Sequence, residues 1–192
     1  MPVQKLTRRT ILKRAAGTLA AAISGPTIVP SSVFGAEGRV SPNDRVRIGY
    51  IGVGRRSRQL MGLPEGAEIT AYADLYQKRL DEMKARNASA KTFLDYREML
   101  ASDSIDAVVI ATPDHWHTLP VVHACEAKKD VYIEKPMTLT VREGRAIVDA
   151  VKKHNVVLQT GSQQRSGSAC QRACKELLDG CIGKIHTIHG AN

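Results

Sequence analysis

Most of the residues in this chain that are able to do chemistry fall into four short polar stretches and one isolated carboxylate. The first stretch, Gly52-Val53-Gly54-Arg55-Arg56-Ser57, directly follows an apolar run. Two glycines one residue apart allow a tight turn and bring backbone amides close to a phosphate, and a helix beginning there adds the positive end of its dipole. The third glycine of G-x-G-x-x-G is replaced by Ser57. That position serves close packing of helix on strand, which serine fills nearly as well as alanine, and Ser57 is also a candidate helix cap. Asp74 closes the next apolar run, 20 residues beyond Gly54, where a carboxylate binds the adenosine ribose hydroxyls of a dinucleotide. A carboxylate accepts from a free 2′-hydroxyl and repels a 2′-phosphate, which favours NAD. Arg55 and Arg56 pull toward NADP if either folds over the adenosine; otherwise they are solvated surface cations.

The other stretches are Thr112-Pro113-Asp114-His115-Trp116-His117, Glu134-Lys135-Pro136 and Gly161-Ser162-Gln163-Gln164-Arg165, each directly after an apolar run. His115 and His117 flank Trp116 with the spacing of metal ligands or of acid-base groups, but no third ligand falls at suitable spacing. His117 is expected as a cofactor or substrate contact and His115 as a residue that supports such a contact from behind or packs, with a purely structural role for either as the alternative; Trp116 walls a cleft or packs. Cys170, Cys174 and Cys181, followed by His186 and His189, suggest zinc, yet nothing pairs as C-x-x-C. Cys170 and Cys174 share a helix face and read as small apolar residues of that helix, so no metal site is expected.

These groups need a scaffold that gathers them. Strand-like runs cover residues 45–51, 68–73, 107–111, 130–133 and 156–160, and helical patterns cover 57–63, 77–87, 96–101, 119–127 and 141–154. Such alternation predicts an α/β fold, a Rossmann doubly wound parallel sheet, in which Val108-Val109-Ile110 is a central strand covered on both faces. Ligands of such sheets bind beyond the carboxyl ends of the strands, where every polar stretch above falls.

The chain has 192 residues, 43% hydrophobic and 24% charged, the balance of a globular protein. Its net charge of +9 is concentrated at the front: Lys5, Arg8, Arg9, Lys13 and Arg14 stand in the first 36 residues with no acid among them. The remainder has no basic stripe and few aromatics, which argues against nucleic-acid binding. Thr7-Arg8-Arg9-Thr10-Ile11-Leu12-Lys13 matches a twin-arginine export signal, and the stretch from Ala15 to Ile28 is too short and too weakly apolar to span a bilayer. Residues 1–36 are therefore expected to be a signal peptide read by the twin-arginine translocation machinery, with a periplasmic destination; the alternative is an attached basic helix. Residues 37–44 read as a linker, 45–161 as the nucleotide-binding domain, and 162–192 as a connecting helix followed, from Gly180 to Ile188, by a turn and then a first strand.

The glycine loop, Asp74, the T-P-x-x-x-H stretch ending at His117, Glu134-Lys135-Pro136 and the loop from Gly161 to Arg165 together resemble the glucose-fructose oxidoreductase/inositol dehydrogenase family, Gfo/Idh/MocA, from about Arg45 onward. The resemblance implies that Lys135 lies beside the nicotinamide and the reacting carbon and that Glu134 contacts the cofactor side. It places Thr112, Pro113, Asp114, His117 and Gln163 along the dinucleotide cleft. The family usually carries Asn where Asp114 stands. It further implies a second, α+β open-sheet domain, begun here and truncated, which would supply most substrate contacts and the homo-oligomer interface. The chain by itself is then expected to bind a dinucleotide weakly and to turn over little.

The chemistry of Lys135 stands beside that likeness. Hydride departure from an alcohol carbon needs a group that takes the hydroxyl proton, and a lysine amine does so when burial and the positive charge of oxidised nicotinamide disfavour a second cation. The alternative is that Lys135 anchors a phosphate or pairs with Glu134. Pro136 keeps Lys135 out of helical geometry. Three functions fit: hydride transfer between NAD, or NADP, and a sugar or cyclitol hydroxyl; glycoside cleavage by transient oxidation on a held NAD; and non-catalytic dinucleotide binding.

Overall fold

The computed structural model describes residues 40–41 and 44–190. The twin-arginine stretch, the Ala-rich segment after it and most of the linker lie outside the described residues. From Asp44 onward the chain forms one unit built on six parallel strands: β1 (Val46–Ile51), β2 (Ala67–Ala73), β3 (Lys91–Phe93), β4 (Ala107–Ile110), β5 (Asp130–Ile133) and β6 (Leu158–Thr160). Their order across the sheet is β3-β2-β1-β4-β5-β6, and every neighbouring pair is parallel. The direction of winding reverses between β1 and β4, and a crevice opens beyond the carboxyl ends of those two strands.

Side chains alternate across this sheet with a period of two. Ile51, Ala71, Ala73, Val108, Ile110, Val131 and Ile133 enter one core, while Tyr50, Tyr72 and Val109 enter the other. The first core is closed by α4 (Thr118–Glu126) through Val121, Ala124 and Cys125, and by α5 (Val141–His154) through Ile147 and Ala150. The second core is closed by Leu80 and Met83 of α2 (Gln77–Arg86). Helix α5 begins at a capping box, in which Thr140 accepts from the Glu143 amide and Glu143 from the Thr140 amide, and it ends at a left-handed Asn155.

Several boundaries differ from the sequence expectation. Helix α1 is only Arg55–Gln59, starting two residues before the expected Ser57, because Gly54 itself is the N-cap; Ser57 sits in the first turn, fully buried, and caps nothing. Strand β3 was not expected: its three residues are too few to show alternation, and pairing with β2 creates it. The short helix α3 (Tyr96–Leu100) is capped by Asp95. The last expected helix forms as α6 (Ser168–Leu178), but none of its residues is buried. The expected turn forms at Gly180, where the Gly183 amide donates to the Gly180 carbonyl, but the residues after it form no strand and are all exposed, with no ladder partner among the described residues.

Candidate active site

Three buried side chains are polar or charged among the described residues, Ser57, His117 and Glu134, and all three lie at the carboxyl edge of the sheet. Burying polar groups costs free energy, so their convergence on one edge marks where the fold spends stability on something other than packing.

The glycine loop leaves β1 at this edge. Gly52 has φ +81°, and a Cβ there would stand 3.0 Å from the Ala111 oxygen and the Thr112 nitrogen, so both conformation and space demand glycine. Gly54 is different: its φ is −73°, and a Cβ would meet only Arg79 Nη1 at 3.9 Å. Nothing within the protein requires Gly54 to be glycine, which fits a ligand pressed against that backbone. Asp74, at the end of β2, accepts from the Val53 amide through Oδ2 (2.9 Å) and from the Tyr76 amide through Oδ1 (2.9 Å), and thereby holds the glycine turn. Each oxygen keeps a further lone pair for a ribose hydroxyl. Arg79 Nη1 stands 3.5 Å from Asp74 Oδ2 and stacks over the Tyr76 ring.

Beside the loop lies a cleft of about 800 Å³ whose wall includes Gly52, Gly54, Arg55, Asp74, Pro113 and Trp116. Tyr76, Arg79, Tyr96, Leu119 and His123 line it as well, and sequence reading did not single these out. The signal for Arg79 lay in its place five residues after Asp74, at the start of a helix that follows β2 directly. Tyr96 and His123 carried no local signal, because their contact, hydroxyl to Nδ1 at 2.9 Å, joins two separate helices.

A second pocket, about 240 Å³, adjoins the cleft and shares Arg56, Ala111 and Thr112 with it. Asp114, His117, Glu134, Lys135 and Gln163 complete its wall. The structure thus brings all twelve expected site residues to one groove: seven on this pocket, namely Arg56, Thr112, Asp114, His117, Glu134, Lys135 and Gln163, and the others on the cleft beside it.

Arrangement within the pocket corrects several expectations. Arg56 is neither a solvated cation nor turned to the adenosine: its Nη2 donates to Glu134 Oε1 at 2.7 Å. Glu134 is therefore not the partner of the Lys135 amine; it accepts from the Lys135 backbone amide at 3.3 Å and from the Tyr132 hydroxyl at 3.4 Å. Burial raises the Glu134 carboxyl, but the Arg56 hydrogen bond and charge outweigh it and hold the group below its ordinary range. Burial, with Glu134 nearby, pushes the Tyr132 hydroxyl up. Gly161 closes this network from above, since a Cβ there would stand 2.5 Å from Tyr132 Oη and 2.9 Å from Glu134 Oε1.

Lys135 is exposed rather than buried, and its amine has no hydrogen bond or ion pair among the described residues. The Lys135–Pro136 peptide is cis. Asp114, His115 and Trp116 form a one-turn 3-10 helix. His115 is exposed and, like Trp116, which is 46% exposed, stands on the wall of the cleft rather than packed inside. His117 is buried with both ring nitrogens on backbone carbonyls, so neither nitrogen is offered to a substrate. Cys170, Cys174 and Cys181 are exposed and line neither the pocket nor the cleft, in place of the expected packing role.

The arrangement can do two things chemically. Glycine backbone and an acid beside a long cleft suit a dinucleotide, and an unpaired amine in the adjoining pocket can exchange a proton with a molecule placed there. A family model described as an oxidoreductase family with an NAD-binding Rossmann fold, Gfo/Idh/MocA, matches residues 46–162. The chain is 30% identical over 146 residues to a myo-inositol 2-dehydrogenase of Thermotoga maritima, covering 74% of this chain and 44% of the relative. It is 35% identical over 170 residues to a glycosyl hydrolase family 109 protein of a Shewanella species, covering 76% of this chain and 37% of the relative. A crystal structure of scyllo-inositol dehydrogenase from Lactobacillus casei, with bound NAD(H) and scyllo-inositol, superposes with a TM-score of 0.68 at 26% identity, covering 73% of this chain and 43% of that one. The chain spans about two-fifths of the length of the curated relatives it matches.

Proposed function

The chain belongs to the Gfo/Idh/MocA family of oxidoreductases, with an NAD(P)-binding Rossmann fold, and on that premise we propose that it is the nucleotide-binding part of an enzyme that moves a hydride between NAD and a sugar or cyclitol hydroxyl. The observation that carries this reading is the unpaired Lys135 amine in a pocket continuous with the dinucleotide cleft. The bound nicotinamide would accept or return the hydride. Gly52, Gly54 and the start of α1 would hold the pyrophosphate, Asp74 the adenosine ribose, and Pro113 with Trp116 the wall beside the adenosine. Lys135 would take the proton from the substrate hydroxyl during oxidation and return it during reduction. Because Glu134 is committed to Arg56, the Lys135 amine is left for the substrate. Thr112, Asp114 and Gln163 would flank the reacting end of the groove.

Asp74 supports NAD over NADP, while Arg79 beside it offsets part of the carboxylate charge. Calorimetric titration of the chain with both nucleotides tests the cradle: NAD binding that Gly54→Asp abolishes is expected, and a folded chain that binds neither nucleotide sinks the reading. For the chemistry, Lys135→Met in a protein that turns over substrate is expected to lower kcat by a factor on the order of 100 to 10,000. An unchanged kcat would remove Lys135 from the reaction.

A second reading is favoured by the likeness to a glycosyl hydrolase family 109 protein. Here the same groove would retain NAD and release a sugar without net reduced nucleotide. Measuring both products in one assay separates the two readings. Export through the twin-arginine pathway to the periplasm belongs to the proposal too, supported by Arg8-Arg9 ahead of Ile11-Leu12-Lys13. Cell fractionation of the double variant Arg8→Lys, Arg9→Lys should find it in the cytoplasm. An entry from α6 into a substrate domain is supported by the exposure of Leu178, Ile182 and Ile188.

A further inference from the structure

His117 is the buried histidine among the described residues, 1% exposed, and no carboxylate accounts for its orientation. Its Nδ1 lies 2.6 Å from the Pro136 carbonyl oxygen, and its Nε2 lies 2.9 Å from the Thr112 carbonyl oxygen. A carbonyl oxygen only accepts. Each nitrogen that carries hydrogen donates to the carbonyl it faces, so the ring ties itself to at least one of them and is held against both.

The two carbonyls belong to the two loops that flank the reaction pocket. Thr112 opens the loop after β4, which closes on itself through Thr112 Oγ1 donating to the Trp116 carbonyl at 3.1 Å. Pro136 directly follows Lys135. On the near side the Lys135 segment is anchored by the Glu134 amide, which donates to the Ile110 carbonyl at 3.0 Å. Beyond Glu134 the chain leaves the sheet, and the His117 ring is its tie to the Thr112 loop. Histidine suits this place because its rigid ring presents a nitrogen at each of two edges and fills the gap between the two carbonyls.

We propose that His117 is a positioning residue, a buried ring seated between the Thr112 and Pro136 carbonyls, that clamps the Thr112 loop to the Lys135–Pro136 segment and so fixes where the Lys135 amine points. This rests on the reading of Lys135 as the proton-transfer group, but the clamp has its own observables. It also replaces the expectation that His117 itself touches cofactor or substrate.

The test uses the full chain labelled with nitrogen-15 at histidine. The expected spectrum shows, for the histidine whose ring contacts Pro136, a nitrogen-bound ring proton slow to exchange with water. A ring proton that exchanges as fast as that of an exposed histidine overturns the proposal. His117→Phe keeps an aromatic ring and removes both nitrogens. If it folds by circular dichroism, amide exchange at Lys135 and Met137 should accelerate on the order of tenfold, while Val108 and Val109 stay protected. Unchanged exchange at Lys135 overturns the clamp; a variant that does not fold leaves the nitrogen spectrum to decide. In a protein that turns over substrate, kcat should fall with little change in KM, and equal losses in both would also overturn it. Wild-type chain that binds no NAD would defeat the functional reading alone, because the nitrogen spectrum reports the clamp without nucleotide.

Discussion

The dinucleotide cleft and the lysine pocket share three residues and one sheet edge, yet they are built in opposite ways. In the pocket several polar groups are held by the protein itself: Arg56 by Glu134, Glu134 by Arg56, Tyr132 and the Lys135 amide, and His117 by two carbonyls. The Lys135 amine, the Asp114 carboxylate and the Gln163 amide are left without partners among the described residues. In the cleft the protein leaves space and unused capacity, at Gly54 and on the Asp74 oxygens. A reacting group must be pre-positioned, so its neighbours are satisfied in advance. A binding surface gains affinity from groups the ligand completes, and those stay open until it arrives.

Substitutions at the glycines break this comparison most sharply. Gly161→Ala pushes a methyl into Tyr132 and Glu134, and overpacking there should destabilise the fold by about 3 kcal/mol in urea unfolding. Gly54→Ala meets no such atoms; its unfolding midpoint should stay near wild type while NAD affinity falls on the order of 100-fold by calorimetry. If Gly54→Ala were the more destabilising of the two, the pocket would not be the pre-packed region.

Smaller effects sharpen the contrast. Glu134→Gln leaves Arg56 without its charged partner, and a loss of about 2 kcal/mol is expected in unfolding at pH 7. Since the folded carboxyl lies below its ordinary range, its contribution is full above the usual glutamate value of about 4.3 and fades as pH falls below it toward the depressed folded value. Stability of wild type and Glu134→Gln, compared from pH 7 down to pH 3, should therefore converge on the acid side. Arg79→Ala in the cleft should leave stability within about 0.5 kcal/mol, because the side chain is half exposed, and should weaken NADP relative to NAD by roughly fivefold. An unchanged nucleotide ratio would show that Arg79 does not face the 2′ position.

Much of the site was legible because its signals are local. The glycine pair, Asp74, Glu134-Lys135-Pro136 and Gln163 each follow a strand, and parallel strands present their carboxyl ends together, so positions in sequence became positions at one edge. The limits of α5 were also legible, since a capping box and a long amphipathic run are written in consecutive residues. Strand β3 was not, being three residues whose extended form depends on β2. Ser57 was read as a cap from its type, but the chain enters the helix two residues earlier, and packing against the sheet fixes that entry.

By itself the sequence determined the alternation of strands and helices, the parallel sheet and the set of residues at its carboxyl edge, because periodicity, caps and turn glycines act over a few residues. Which of those residues pair with one another was decided by tertiary structure. Arg56 and Glu134 are 78 positions apart, and His117 reaches Pro136 across 19. Whether a guanidinium meets solvent, a phosphate or a carboxylate depends on which loops the closed sheet sets side by side, and no local pattern encodes that choice.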